Sequence, residues 1–396
     1  MNGLARVAGV SAALSAIALL AGCTSLVERQ ILNMEPVSGM ASVEFAVAPN
    51  RQQICDDAVT HRCLNYLDLA VIEVRYDDGL KAHEDFTWTL SISSDLEKDR
   101  SLNEYFSEET NFRFPELAAN APVVIVAPGY GMQSAHLFAP TGVWLRSMGF
   151  RPLIIAGPTE SNPMAFGLPN LELIRDHVMH HFSEAPVVLM GFSMGMMATT
   201  ELERLFLEQG VQPSGLVFVA PMNDFRNDAN FMFQQMKEAD WRLRWFVSDS
   251  RFNEALGNII TRSGETNRMT TLAQRLAATQ SPALVLAGRS DRVVDLKASR
   301  IAVEHWLGVE SLQLLSDYPE VEVDLPLTVT TPNPEIERFK VFQVEQGNKR
   351  YLEYELLGHT AMVAMLKPVR GHIENWLQQF VEVREAPPEL EIPEVM

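Results

Sequence analysis

Short runs of near-continuous apolar residues recur through the middle of the chain: Val123 to Val126, Pro152 to Ala156, Val187 to Met190, Gly215 to Ala220 and Ala283 to Ala287. Runs too short for helices and without polar alternation fit strands buried on both faces. Helical segments separate them, so the pattern predicts a mostly parallel sheet covered by helices on both sides, an α/β architecture. Nearer the N-terminus, Val43 to Val47, Leu69 to Tyr76 and Phe86 to Ser93 read as strands. In the last, Phe86, Trp88, Leu90 and Ile92 alternate with Thr87, Thr89, Ser91 and Ser93, the pattern of a half-buried strand; the three are expected to build an antiparallel edge. Late in the chain, Leu352, Tyr354 and Leu356 alternate with Glu353 and Glu355. That alternation predicts a hairpin over Phe339 to Leu356, turning at Gln346-Gly347-Asn348-Lys349. A final helix follows, with Val369, Ile373, Trp376, Leu377 and Phe380 on its apolar face.

The punctuation after these runs carries the chemistry. Gly191-Phe192-Ser193-Met194-Gly195 follows one apolar run and opens a helical segment, the context in which a serine sits exposed on a sharp strand-to-helix turn. Serine is a poor nucleophile near neutral pH, so it needs a base, an acid to orient that base, and donors for an oxyanion. Asp291, in Gly288-Arg289-Ser290-Asp291 after the run Pro282 to Gly288, is the candidate acid; Asp295 and Asp224 are its rivals. His359, after the alternating strand, is the candidate base. His177, His180 and His181 precede the serine, and His372 lies inside the final helix. The loop Pro128-Gly129-Tyr130-Gly131 follows the first apolar run, so the backbone N–H groups of Tyr130 and Met194 are the expected oxyanion donors.

The order Ser193, Asp291, His359 resembles that of the α/β-hydrolase superfamily, in particular its monoacylglycerol-lipase and serine-aminopeptidase-like branch, whose elbow often reads GFSMG. The resemblance covers roughly Ala121 to Val383 and implies an α/β-hydrolase fold: a mostly parallel sheet, antiparallel N-terminal strands and a helical cap. Two features depart from the pattern. Asp291 and His359 are separated by a long insertion, and Pro128 stands where relatives commonly carry histidine.

The N-terminus concerns location. Arg6, an apolar run from Val7 to Leu20, and Leu20-Ala21-Gly22-Cys23 form a stretch too short to remain in a bilayer, for which about 20 apolar residues are needed. It reads as a signal peptide and resembles that of bacterial lipoproteins, which implies acylation of Cys23. Thr24 in the next position implies outer-membrane sorting, facing the periplasm. In an oxidising compartment the remaining pair, Cys55 and Cys63, is a candidate disulfide.

The expected organisation is a signal peptide over 1–22, a lipidated tether over 23–39 and one hydrolase domain over 40–396. The domain contains an aromatic-rich insertion at about 222–280, resembling a cap, a second insertion at about 308–350, and an acidic, Pro-containing tail over 384–396. Within the first insertion, Phe231, Phe233, Met236, Trp241, Trp245, Phe246 and Phe252 are candidate contacts for an apolar substrate. A net charge of -19 argues against nucleic acid and against electrostatic attachment to anionic lipid, leaving the N-terminal lipid as the membrane link. Neither a C-x-x-C pair nor an H-E-x-x-H motif occurs in the sequence, and neither metal nor cofactor is expected. The expectation is a serine hydrolase of small-molecule or lipid esters or thioesters. A peptidase or amidase, and a non-catalytic envelope-binding lipoprotein, are the alternatives; oligomeric state has no signature in the sequence.

Overall fold

The computed structural model describes residues 24–25, 27–29, 31, 47–48, 50–56, 62–76, 79–82, 86–93, 105–134, 138–160, 164–239, 241–266, 270–312, 320–324, 338–355, 357–365 and 367–380. The signal peptide, Cys23, positions 43–46 of the first expected strand and the acidic tail lie outside the described residues.

Each apolar run forms a strand: β8 (Val123–Ala127), β9 (Arg151–Ile155), β10 (Val187–Phe192), β11 (Gly215–Val219) and β12 (Ala283–Gly288). Their lack of alternation has the expected cause. Val123 and Ile125 face one core while Val124 and Val126 face the other, and all four are fully buried. Burying side chains of this size contributes about 1.5–3 kcal/mol each, so both faces hold the sheet. With β15 (Lys349–Tyr354) these strands pair in parallel in the order β9-β8-β10-β11-β12-β15.

Antiparallel strands extend both ends of the parallel block. On one side are β3 (Cys63–Asp68) and β2 (Arg51–Cys55); on the other are β14 (Arg338–Gln346) and β13 (Glu320–Asp324), completing a ten-stranded sheet. The β14–β15 hairpin has the expected turn, with Gln346 opposite Lys349. Described residues of the second insertion therefore lengthen the sheet. Cys55 and Cys63 are opposite each other in the β2–β3 register and are joined by a disulfide. On the chain-entropy account, so short a loop contributes about 2–3 kcal/mol.

The antiparallel edge differs from the sequence expectation. Its strands are Arg51–Cys55 and Cys63–Asp68, the first largely exposed and polar and therefore without an apolar pattern to announce it. The expected strand at 69–76 shortens to β4 (Glu73–Tyr76), which joins β1 (Val47–Ala48) and β5 (Gly79–Ala82) in a separate three-stranded sheet. The alternating strand β6 (Phe86–Ser93) pairs with β7 (Tyr105–Phe112), again away from the main sheet.

The crossovers contain α1 (Trp144–Ser147) after β8, α2 (Leu171–His181) after β9 and α3 (Met196–Glu208) after β10. Between β11 and β12 lie α4 (Phe225–Ala239), α5 (Trp241–Phe246), α6 (Asp249–Ser263) and α7 (Leu272–Ala278). Sequence signals bound these helices: Ser248 caps α6 through the Arg251 N–H, and Thr271 with Gln274 forms a capping box on α7, the local pattern that satisfies otherwise unpaired N–H groups. After β12 comes α8 (Leu296–Leu307), and after β15 come α9 (His359–Val363) and α10 (Lys367–Leu377).

From β8 the chain moves outward to β9, then returns to the opposite side of β8 as β10. That reversal opens a crevice beyond the C-terminal ends of β8 and β10, where open α/β sheets place their sites. The strand order, antiparallel second strand and helical excursion after β11 constitute the α/β-hydrolase fold.

Candidate active site

Ser193 occupies the first position after β10, with φ 49°. A left-handed backbone is costly for a residue bearing a Cβ, by about 1–3 kcal/mol when held by its surroundings. Close packing holds this one. A Cβ at Gly195 would lie 2.1 Å from the Ala127 carbonyl oxygen, and one at Gly129 would lie 2.9 Å from the Phe192 oxygen and 3.0 Å from the Ser193 Cβ. The loop after β8 and the turn after β10 can meet only because both positions are glycine. Tyr130 and Met194, whose N–H groups are the expected oxyanion donors, lie within these two segments.

Pro128 cannot brace its loop through a side-chain hydrogen bond, and a residue outside the sequence expectation supports the neighbouring turn. Glu160 accepts the Gly157 N–H at 2.5 Å and the Ser134 N–H at 2.7 Å through one oxygen, and the Ser134 hydroxyl at 3.0 Å through the other. Gly157 in turn abuts Met132 and Pro128. One carboxylate thus ties the chain after β9 to the end of the loop that follows β8, a link that nothing in its local sequence announces.

Asp291 and His359 are brought together by neighbouring parallel strands. His359 Nδ1 lies 2.7 Å from Asp291 Oδ2, with side-chain exposures of 14% and 5%. The other carboxylate oxygen accepts the Val293 and Val294 N–H groups, both at 2.8 Å. Asp291 is therefore fixed by its own turn while it meets the imidazole. Its rivals have local tasks: Asp295 caps α8 through Lys297, and Asp224 accepts from the Asn227 N–H. His372 Nδ1 lies 2.9 Å from the Tyr354 hydroxyl on α10's inner side, whereas His177, His180 and His181 lie on α2.

Glu353 lies on the face of β15 opposite Leu352 and Tyr354, as the alternation predicts, but that face is covered as well. Glu353 is fully buried. Arg289, next to the acid turn, donates to it at 2.5 Å; Arg300 donates at 2.8 Å and 2.5 Å, and Tyr351 at 2.8 Å. Burial pushes its pKa up, but the hydrogen bonds from Arg300 and Arg289 outweigh that effect and hold it below the ordinary carboxylate value. This charge network joins the turn carrying Asp291 to the strand leading to His359.

Above Ser193 is a cavity of about 710 Å³, within the range of small-ligand sites. Its lining combines Ser193, Tyr130 and Met194 with cap residues that include Phe233, Met236 and Phe252. The rings of Phe233 on α4 and Phe252 on α6 stack at 4.0 Å and 6°, joining two cap helices at the cavity wall. Of the other expected cap contacts, Phe231 borders a different pocket, while Trp241, Trp245 and Phe246 on α5 point to solvent at 61%, 78% and 69% exposure. That helix also contains Arg242 and Arg244 and no carboxylate, and the adjacent Leu243 and Val247 line the cavity.

Asp228 is the only carboxylate in the described lining. It accepts the Asn223 N–H at 2.5 Å and amide at 3.1 Å, and lies 3.4 Å from the Asp295 N–H. Burial pushes its pKa up to about 6 despite these bonds. Asp228 connects the start of the cap to the loop that follows Asp291. The cavity also receives Val27 and Ile31, far from the other lining residues in sequence. Sequence periodicity contains no signal for either association.

No protein-family model matches this chain, and no curated protein matches it. Among solved structures, it is similar to a bacterial membrane phospholipase A described as a virulence factor, at 13% identity over 95% of this chain and 99% of that one, TM-score 0.44. A Pyrococcus furiosus esterase aligns at 13% identity over 75% and 91%, TM-score 0.42. An acetyl xylan esterase from Paenibacillus sp. R4 aligns at 10% identity over 89% and 92%, TM-score 0.40. These similarities transfer no activity or residue role; the fold is defined by the strand order itself.

Proposed function

We propose that this chain is a lipid-anchored serine hydrolase of carboxylic esters or thioesters, acting at a bacterial envelope membrane. The observation that carries this reading is that the left-handed Ser193, which lines an apolar cavity, and the hydrogen-bonded Asp291–His359 pair follow the C-terminal ends of parallel strands of one sheet, β10, β12 and β15. His359 Nε2 takes the Ser193 hydroxyl proton as Oγ attacks the substrate carbonyl. Asp291 holds the Nδ1–H tautomer and stabilises the imidazolium. The Tyr130 and Met194 N–H groups receive the developing oxyanion, a role in which one donor is commonly worth about 2.7–4 kcal/mol. Collapse breaks the bond to the leaving alkoxide or thiolate, which takes the proton from His359. Water then attacks the acyl-enzyme by the same proton path and releases the acid.

The predominantly apolar cavity favours an acyl chain over a charged peptide. Three features support work at a lipid surface: the lipoprotein-like segment ending in Cys23, the exposed aromatic residues of α5, and the arginines of that helix, locally opposite in sign to the chain's net charge of -19. Tryptophan and arginine at an interface suit the boundary between acyl chains and headgroups. The Cys23 anchor would place the protein at the outer membrane facing the periplasm.

Matched ester, thioester and amide substrates bearing the same acyl group test the reaction class. The expected ranking of kcat/KM puts ester and thioester above amide by at least about tenfold, or 1.4 kcal/mol in activation free energy. An amide preference would replace this reading with that of a peptidase or amidase.

A further inference from the structure

Residues 24, 25, 27–29 and 31 are helical and immediately follow the cysteine expected to bear lipid. Their described contacts converge on the catalytic cavity. Val27 and Ile31 line it together with Ser193. On the cap side, the Thr24 hydroxyl lies 3.4 Å from Glu254, Glu28 accepts from the Asn258 amide at 2.5 Å, and Arg262 pairs with Glu28 at 2.7 Å. Glu254, Asn258 and Arg262 repeat at intervals of four along α6, so they form one helical face. Glu28 is only 5% exposed, and a carboxylate so buried needs these partners. On the other side, the Tyr130 hydroxyl donates to the Ile31 carbonyl. Burial raises the Tyr130 pKa, keeping the phenol a neutral donor.

We infer that this N-terminal segment is a working wall of the acyl site: Val27 and Ile31 determine acyl-chain selectivity, and the Ile31 carbonyl positions the oxyanion loop through Tyr130. The inference rests on the serine-hydrolase reading and deepens it. A tether whose only task was to reach the membrane would need neither a buried carboxylate clamped to the cap nor two apolar side chains lining the cavity that holds Ser193. Because the segment connects the membrane-proximal end of the chain to both cap and oxyanion loop, displacing it would enlarge the cavity and release the Tyr130 side chain together. Val27 and Ile31 are therefore specificity-determining residues, and Tyr130 acts through its hydroxyl as a positioning residue.

The test uses the full lipidated chain in detergent micelles, with 4-nitrophenyl esters from butyrate to palmitate and a fluorescent phosphonate to count reactive Ser193. Ile31→Trp, which fills the cavity, is expected to lower the long-to-short ratio of kcat/KM by about tenfold or more, whereas Ile31→Ala shifts the optimum toward bulkier acyl groups. Tyr130→Phe is expected to reduce kcat across the panel by about fivefold, the effect of one hydrogen bond, with little change in KM or chain-length preference. Glu28→Ala should combine both effects, and the reversed pair Glu28→Arg with Arg262→Glu should recover much of the loss. Val27→Trp supplies an independent filling variant if Ile31→Trp does not fold, judged by thermal unfolding.

An unchanged chain-length profile in folded, phosphonate-labelled filling variants would overturn the wall, and unchanged kcat in Tyr130→Phe would overturn the positioning role. Absence of labelling and turnover in the unsubstituted protein would instead defeat the serine-hydrolase reading from which the inference starts.

Discussion

The floor and roof of the cavity at Ser193 are built by opposite means. The floor is the C-terminal edge of a sheet buried on both faces, where Gly195 meets the Ala127 carbonyl and Gly129 meets the Phe192 carbonyl too closely to admit one additional carbon. The roof is a set of helices with polar faces, two stacked phenylalanine rings and an aromatic helix left in solvent. The floor can hold Ser193 in an unfavourable conformation because its neighbours have little room to relax. The roof leaves more of its surface uncommitted to packing, which on the proposed reading lets it adapt to an acyl chain. Precision and accommodation are therefore separated across a single cavity.

This contrast can be broken most strongly at the Asp291–His359 pair on the floor's side of the sheet edge. Asp291→Asn should preserve the fold but lower kcat by about 10⁴, because the amide favours the wrong histidine tautomer. Steady-state kinetics beside a thermal unfolding curve would check it. A loss below tenfold in folded protein would remove Asp291 from the orienting role and direct attention to another carboxylate.

A pair of glycines compares the two regions directly. Gly195→Ala should destabilise the protein by about 3 kcal/mol, at the upper end of usual overpacking costs, because the added methyl meets backbone at 2.1 Å. Gly257, inside α6, has only the Arg226 guanidinium near a built Cβ, at 3.7 Å. Gly257→Ala should therefore stabilise by about 0.5–1 kcal/mol through helix propensity. Denaturant midpoints measure both changes; similar effects at the two positions would abolish the proposed contrast in tolerance.

The junction of roof and floor should depend on pH. Burial raises the folded-state pKa of Asp228 to about 6 from an ordinary 3.8. Its contribution is fully present below the unfolded value and is lost as pH rises through the folded value. The difference in unfolding free energy between the protein and its Asp228→Asn variant should change by about 3 kcal/mol across that window, since one pKa unit corresponds to about 1.4 kcal/mol. Urea unfolding at pH 4, 5, 6 and 7 would reveal the slope. A difference constant with pH, or one growing in the opposite direction, would contradict it.

The same two regions explain what was legible in the sequence. Strands β8 and β10 announce themselves because both faces need apolar residues, and Ser193 is visible because its turn demands glycines nearby. Strand β2 is hidden because an exposed edge needs no apolar repeat, and the burial of Glu353 is hidden because the two arginines that make it tolerable are distant in sequence. Glu160, Asp228 and the N-terminal segment are hidden for another reason. Their positions depend on contacts between distant parts of the chain, and a carboxylate receiving N–H groups leaves no periodic pattern. Even β6, correctly legible as a strand, did not reveal that its partner is β7 and its sheet separate.

The central claim is that the strained serine on the floor is the reacting atom beneath the roof. The most direct measurement is fluorescent-phosphonate labelling of the purified full chain, with the modified peptide identified by mass spectrometry and ester turnover followed in parallel. The account predicts stoichiometric modification of Ser193, simultaneous loss of hydrolysis, and neither labelling nor turnover in folded Ser193→Ala. Modification of another residue, or ester hydrolysis that survives Ser193→Ala, would contradict it.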